Sequence, residues 1–232
     1  MKSPPLSNDF SLCALEIEKL FKKYQGKKNV EFEARLGYFT EEEITKGNVK
    51  KFFDTNVGEQ FFNTILKTLQ TSKIWNKTRE TNLVDYYSSG LRMTVTRQGE
   101  QICIKKKRLE VLDFRYEDTP FDIRFSVSTE DPQPVDTFQK PHKGENYETI
   151  REKLKYQFFY KQWSFDLSIV SFEDNGISRK RWEVELELVD KDFKDYKYLS
   201  QSILLKIKDM VNMCEKINPD AYLDIMQMKD FL

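Results

Sequence analysis

Histidine occurs once in the 232-residue chain, at His142, and cysteine three times, at Cys13, Cys103 and Cys214. A single imidazole argues against a histidine-based metal site and against a Ser-His-Asp triad. Three scattered thiols, odd in number and without paired spacing, exclude a disulfide framework and a zinc ribbon. They point to a soluble intracellular protein in a reducing compartment. No apolar run reaches the ~18 residues of a membrane helix, and the start Met1-Lys2-Ser3-Pro4-Pro5 has no apolar signal core. No membrane partner is therefore expected. There is no Gly-rich phosphate loop of the Walker type, so any phosphate must be held by side chains. Excess charge of either sign is also missing, with 38 Lys and Arg against 38 Asp and Glu. Proteins that coat nucleic acid are strongly basic, so a long RNA track is not expected and DNA is not expected as a partner.

What is present is charge without bias, 33% of the residues, beside enough apolar and aromatic side chains (39% and 14%) to bury a core. The length suits one domain spanning 1–232. Residues 1–6 read as a loose tail. Apolar positions at 3–4 spacing predict outer helices over 9–24, 57–70 and 193–217. Ser7 or Asn8 caps the first and Gly26 ends it; Asn218-Pro219 breaks the third, with a short final helix beyond. Between the helices the period changes to two. Strands are expected over 29–38, 73–87, 90–97, 100–107, 108–117, 121–130, 151–162, 163–172 and 180–190, with turns at Gly90, Gln98-Gly99 and Asn175-Gly176. The segment 131–146, which contains His142, holds Pro132, Pro134 and Pro141 and reads as a surface loop. The fold class is α+β, mainly antiparallel, a sheet or barrel with helices packed outside. The cysteines read as small core residues, and Trp75, Trp163 and Trp182 as packing between barrel and helices.

Alternate strand residues point to opposite faces. On 180–190, Trp182, Val184, Leu186 and Leu188 alternate with Arg181, Glu183, Glu185 and Glu187. On 29–38, Val30, Phe32, Ala34 and Leu36 alternate with Glu31, Glu33 and Arg35. On 121–130 the polar set is Asp122, Arg124, Ser126, Ser128 and Glu130. On 151–162 it is Arg151, Lys153, Lys155 and Gln157, on 163–172 Ser164, Asp166 and Ser168, and on 90–97 Arg92, Thr94 and Thr96. A water-facing sheet side is the ordinary source of such patterns. Two features argue against it. Glu183, Glu185 and Glu187 set like charges ~7 Å apart, which a solvated sheet does not require. The strands also sort into acidic and basic ones. A closed barrel turns these faces inward, where carboxylates share a hard divalent cation and the basic rows surround an anion. Oxygen ligands suit Mg²⁺ or Mn²⁺, and a metal flanked by cations points to phosphate as substrate. In the run Lys105-Lys106-Lys107-Arg108 only alternate members share a face.

Glu31-Phe32-Glu33 near the start and Glu183-Val184-Glu185-Leu186-Glu187 near the end resemble the paired acidic strands of the triphosphate tunnel metalloenzymes. Between them, Leu91 to Val95, Ile104 to Arg108, Asp122 to Glu130, Arg151 to Lys155 and Phe165 to Ser168 resemble, in order, the metal-dependent RNA 5′-triphosphatases of mRNA capping. The likeness is greatest to the N-terminal domain of giant-DNA-virus, mimivirus-type, capping enzymes. The resemblance implies a closed eight-stranded β-tunnel with flanking helices. It implies Glu31, Glu33 and Glu187 as ligands of Mg²⁺ or Mn²⁺, and Glu183 and Glu185 as holders of metal-bound water. Arg92, Lys106, Arg124, Arg151, Lys153 and Lys155 would grip the triphosphate, Glu130 would position or deprotonate the attacking water, and Asp166 and Ser168 would brace the basic strand. Fungal relatives carry Lys where Arg124 stands and Arg where Lys155 stands. The implied reaction removes the γ-phosphate from the 5′-triphosphate end of nascent RNA, with weak RNA affinity and Mn²⁺-dependent NTP hydrolysis beside it. A fused or associated RNA guanylyltransferase, and a viral factory, host cytoplasm or virion as location, follow from the same likeness. The alternatives are hydrolysis of inorganic or small organic triphosphates and a non-catalytic phosphate-binding barrel.

Overall fold

The computed structural model of the chain describes residues 10–45, 48–114, 121–138, 147–192 and 194–214. Among these lie three α-helices, α1 (Phe10–Tyr24), α2 (Glu59–Thr71) and α3 (Tyr196–Asn212), and nine strands. The strands are β1 (Val30–Thr45), β2 (Asn48–Asp54), β3 (Lys77–Ser88), β4 (Leu91–Thr96), β5 (Gln101–Phe114), β6 (Asp122–Gln133), β7 (Thr149–Tyr160), β8 (Trp163–Asp174) and β9 (Ile177–Leu188). The proposed tail, the Ser7 or Asn8 cap, His142 and the final helix lie outside the described residues.

All pairings are antiparallel, in the order β2-β1-β6-β5-β4-β3-β7-β8-β9, and β1 also pairs with β9. Eight strands therefore close into a barrel, and β2 extends β1 as a hairpin beyond the rim. Tight turns with left-handed residues, Ser89-Gly90 between β3 and β4 and Asn175-Gly176 between β8 and β9, join adjacent strands.

The hydrophobic core lies outside the barrel, not within it. Phe32, Ala34 and Leu36 on β1, Ile123, Phe125 and Val127 on β6, Leu167 on β8 and Val184, Leu186 and Leu188 on β9 are all buried. They meet Ile17 and Phe21 of α1, Phe61, Phe62 and Ile65 of α2 and Leu199, Ile203, Ile207 and Met210 of α3 in one cluster. Phe21 sits against Phe32, Phe125 and Tyr196 at centroid distances of 4.7, 5.7 and 6.4 Å. Each such ring contributes about 2–3 kcal/mol when fully buried. Because period-2 strands commit their apolar side to the helices, their charged side must face the lumen.

The tryptophans and cysteines lie as expected. Trp163 is fully buried and its indole N–H donates to Ser202 on α3, while Trp75 packs on Phe158 and Phe165. All three thiols are free and buried.

The structure corrects four readings of the sequence. Residues 100–107 and 108–117 are one strand, β5, with a bulge between Arg108 and Glu110. The loop proposed from 131 starts later, since β6 runs through Pro132 to Gln133 and a short 3₁₀ turn occupies Val135–Thr137. β1 runs seven residues past the expected end at 38, and β2 was not expected at all; Glu41 opposite Lys51 holds opposite charges in register there. The third helix begins at Tyr196, where the Asp195 carboxylate accepts the Tyr198 N–H.

Candidate active site in the barrel lumen

The lumen is a cavity of about 700 Å³. Glu31, Glu33, Arg92, Lys106, Arg124, Glu130, Arg151, Lys153, Lys155, Ser168, Glu183, Glu185 and Glu187 all line it. Asp166, the remaining residue singled out from the sequence, faces inward but is 1% exposed and stands behind the lining.

Closure of the barrel makes the two acidic strands neighbours. Glu33 lies opposite Glu187 and Arg35 opposite Glu185 on the β1–β9 pair. Arg35 neutralises this seam, its guanidinium lying 3.2 Å from both Glu33 and Glu185. Beside it, the Lys106 ammonium sits 2.8 Å from Glu31, 3.2 Å from Glu130 and 3.6 Å from Glu33. Glu130 is also held by Arg92 at 3.1 Å, and Ser128 donates to Glu31. On the basic side, Lys153 pairs with Asp85 at 2.7 Å and Lys155 with Asp166 at 2.6 Å. Asp85 accepts from Thr94, and Asp166 from Ser164 and Gln157. Arg124 makes a two-point bond to Asp113, at 2.7 and 2.9 Å, and lies over the Phe53 ring at 4.6 Å.

These surroundings split the carboxylates. Burial opposes ionisation of Glu33, but Arg35 and Lys106 outweigh it and hold the carboxyl at about 2. For Glu31 burial prevails over Lys106, and the carboxyl is raised. Glu185 is raised by burial and by Glu33 and Glu183, against Arg35. Glu187 is pushed up to about 8 by burial, by Asp166 and by Glu31, with Lys155 as partial relief. Lys106 and Lys155, despite burial, are raised by the carboxylates around them and stay charged.

This donor set fits a hard cation. The candidate ligands offer only oxygen, a cation is already accommodated among Glu31, Glu33 and Glu130 in the form of the Lys106 ammonium, and the carboxyl groups crowded around Glu187 resist its ionisation in a way that a bound cation would relieve. Among the described residues no three potential ligands converge as a preassembled cage.

Sequence reasoning placed Arg35, Ser126 and Thr94 on inward faces without giving them a role, and missed Asp85, Arg108 and Asp113. Arg35 has the parity of Glu31 and Glu33 and was readable as an inward cation. Asp85 sits on a strand whose faces look mixed in sequence. Asp113 was hidden because the bulge after Arg108 reverses the parity of β5. Arg108, Ser126 and Thr94 are among the other residues that line the cavity.

Comparison with known proteins gives the same picture. Residues 20–204 match the family model described as mRNA capping enzyme, beta chain. No curated protein sequence matches the chain. Among solved structures, the S. pombe Pct1 RNA triphosphatase superposes with a TM-score of 0.68 at 16% identity, covering 93% of this chain and 96% of that one. Pct1 in complex with the Spt5 CTD gives 0.62 at 17% identity, covering 99% and 92%. The RNA triphosphatase domain of a trifunctional mimivirus mRNA capping enzyme gives 0.57 at 16% identity, covering 89% and 99%. With a closed, charged tunnel as its candidate active site, the chain belongs to the mRNA capping enzyme beta-chain family, the mRNA triphosphatases.

Proposed function

We propose that the chain is a divalent-metal-dependent RNA 5′-triphosphatase that removes the γ-phosphate from triphosphate-ended RNA and leaves a 5′-diphosphate end. The observation that carries this reading is the meeting of carboxylate and cationic rows in one enclosed lumen. Phosphoryl transfer asks little covalent work of a protein; positioning and charge neutralisation supply most of the rate. Arg92, Lys106, Arg151, Lys153 and Lys155 line the space a polyphosphate would enter, and Asp85 and Asp166 fix two of them from behind. Arg124 is already engaged by Asp113, so its part is to shape the mouth more than to grip phosphate. Glu130, anchored by Arg92 and Lys106, is the residue to orient the attacking water and take its proton. Glu183 and Glu185 buttress the acidic side, with Thr55 donating to Glu183. Glu31, Glu33 and Glu187 would hold Mg²⁺ or Mn²⁺, which when bound supplies neutralisation of the phosphate charge.

The product is the acceptor for guanylyl transfer, so association with an RNA guanylyltransferase belongs to the proposal. The trifunctional mimivirus enzyme supports it. Hydrolysis of free NTPs with Mn²⁺ belongs to it too, since the lumen recognises phosphate by charge.

The test is release of label from γ-³²P triphosphate-ended RNA with Mg²⁺ or Mn²⁺, wild type beside Glu187→Ala. Metal-stimulated release by wild type and its loss in the variant are expected. Equal release by both, or cleavage of inorganic tripolyphosphate with none of RNA, would overturn the assignment.

A further inference from the structure

At one end of the barrel, inward register positions of β3, β7, β8 and β9 bring arginines and aromatic rings into alternation. The Arg151 guanidinium lies 5.6 Å from the centre of the Tyr87 ring and 6.0 Å from that of Phe172. Arg181 lies 5.5 Å from the same Phe172 ring. Arg151 is opposite Phe172 in the ladder, and Phe172 is opposite Arg179, which shares a face with Arg181. Tyr87 and Arg151 line the lumen, whereas Phe172 and Arg181 stand just outside its lining. Arg151, Phe172 and Arg179 lie at one level of the ladder, and Arg181, opposite Val170, lies one step nearer the Glu183 end of the cavity.

Arg179 is already paired with Asp174 at 3.0 Å, whereas Arg151 and Arg181 are less engaged. Among the described residues Arg151 makes no ion pair, and its Nε is buried without a hydrogen-bond partner. Arg181 has Asp54 at 3.7 Å, and its side chain is 41% exposed. Phe172, part-buried, is shared by the guanidinium groups of Arg151 and Arg181. Inorganic phosphates gain nothing from rings. Alternating rings and guanidinium planes are what single-stranded nucleic acids use, bases stacking on the flat groups while the cations follow the backbone.

Resting on the triphosphatase reading, we propose that this belt receives the first nucleosides of the RNA. The first base packs on the Phe172–Arg181 pair while the triphosphate lies in the lumen, and the next phosphodiester lies toward Arg179. The belt makes the enzyme prefer an RNA end to a free polyphosphate, independently of base identity, because every base has a stacking face.

The experiment compares steady-state hydrolysis of a triphosphate-ended RNA decamer, ATP and inorganic tripolyphosphate by wild type, Phe172→Leu, Phe172→Trp and Arg181→Ala. Expected for Phe172→Leu and Arg181→Ala is a KM about tenfold higher for RNA, a smaller rise for ATP, and tripolyphosphate kinetics within twofold of wild type. Phe172→Trp restores the RNA KM. Variants that match wild type on RNA, or that lose RNA and tripolyphosphate equally, overturn the belt while leaving the hydrolase intact. A wild type that releases phosphate from no substrate sinks the hydrolase, and the belt with it.

Discussion

The Lys153 ammonium rests 2.7 Å from the carboxylate of Asp85, which is 2% exposed and also accepts from Thr94. Burial works against ionisation of Asp85, but Lys153, Thr94 and Arg92 outweigh it, so the carboxyl titrates below the ordinary range. Asp85→Asn should lower phosphate release by loosening Lys153, and should cost about 3 kcal/mol, as breaking buried pairs does. A depressed carboxyl stabilises the fold above its unfolded value, near pH ~4, and loses that contribution as pH falls through the lower folded value. Urea titrations of wild type and variant should therefore differ most at neutral pH and converge in acid. A constant gap from pH 3 to 7 would contradict the pairing.

Glu187 shares its corner with Glu31 and Asp166, and like charges crowded together are strained without a counter-ion. Glu187→Gln is expected to abolish metal-stimulated phosphate release while raising stability in chelator-treated protein. Wild type should instead gain stability on adding Mn²⁺, by about 2.7 kcal/mol at a hundredfold excess over Kd. Thermal melts with and without metal check this. Equal metal stabilisation of both proteins would remove Glu187 from the ligand set.

Arg35 is the cation of the acidic seam, 3.2 Å from Glu33 and from Glu185. Arg35→Met keeps much of the volume and leaves two carboxylates facing each other. The expected loss is about 2 kcal/mol, discounted because the side chain is a quarter exposed. Arg35→Lys recovers only part, since a point charge cannot bridge both groups as a planar fork does. Chemical denaturation midpoints provide the comparison.

Gly37 marks a close approach of β1 to β2. A Cβ there would lie 2.1 Å from the backbone oxygen of Asp54 and 2.8 Å from the Phe53 ring. Gly37→Ala should cost about 1–3 kcal/mol through overpacking. It should also speed proteolysis of the β1–β2 hairpin before the barrel. Unchanged cleavage rates would show that the hairpin absorbs the methyl group.

The barrel was legible in the alternation of Glu31, Glu33 and Arg35 with Phe32, Ala34 and Leu36, repeated on β6, β7, β8 and β9. That pattern tells which residues share a face. It does not tell which strands are neighbours, so the direct pairing of Glu33 with Glu187 and the role of Arg35 between them came only with the closed sheet. Bulges are likewise silent in composition, and one of them concealed Asp113. The β1–β2 hairpin escaped because Glu41 and Lys51 look like loop residues singly and make sense only as opposites across a ladder.

The seam joining β1 to β9 is recorded by three register pairs, Glu33 with Glu187, Ala34 with Leu186 and Arg35 with Glu185. Four of those six side chains are charged lumen residues. The last suture of the barrel and the heart of its chemistry are thus one patch of backbone, contributed by segments some 150 positions apart in a contact of the kind that forms slowly. A chain still waiting to be zipped up holds only half of its lumen carboxylates in place, so on the proposed function the site for a divalent ion would be completed only with the fold itself.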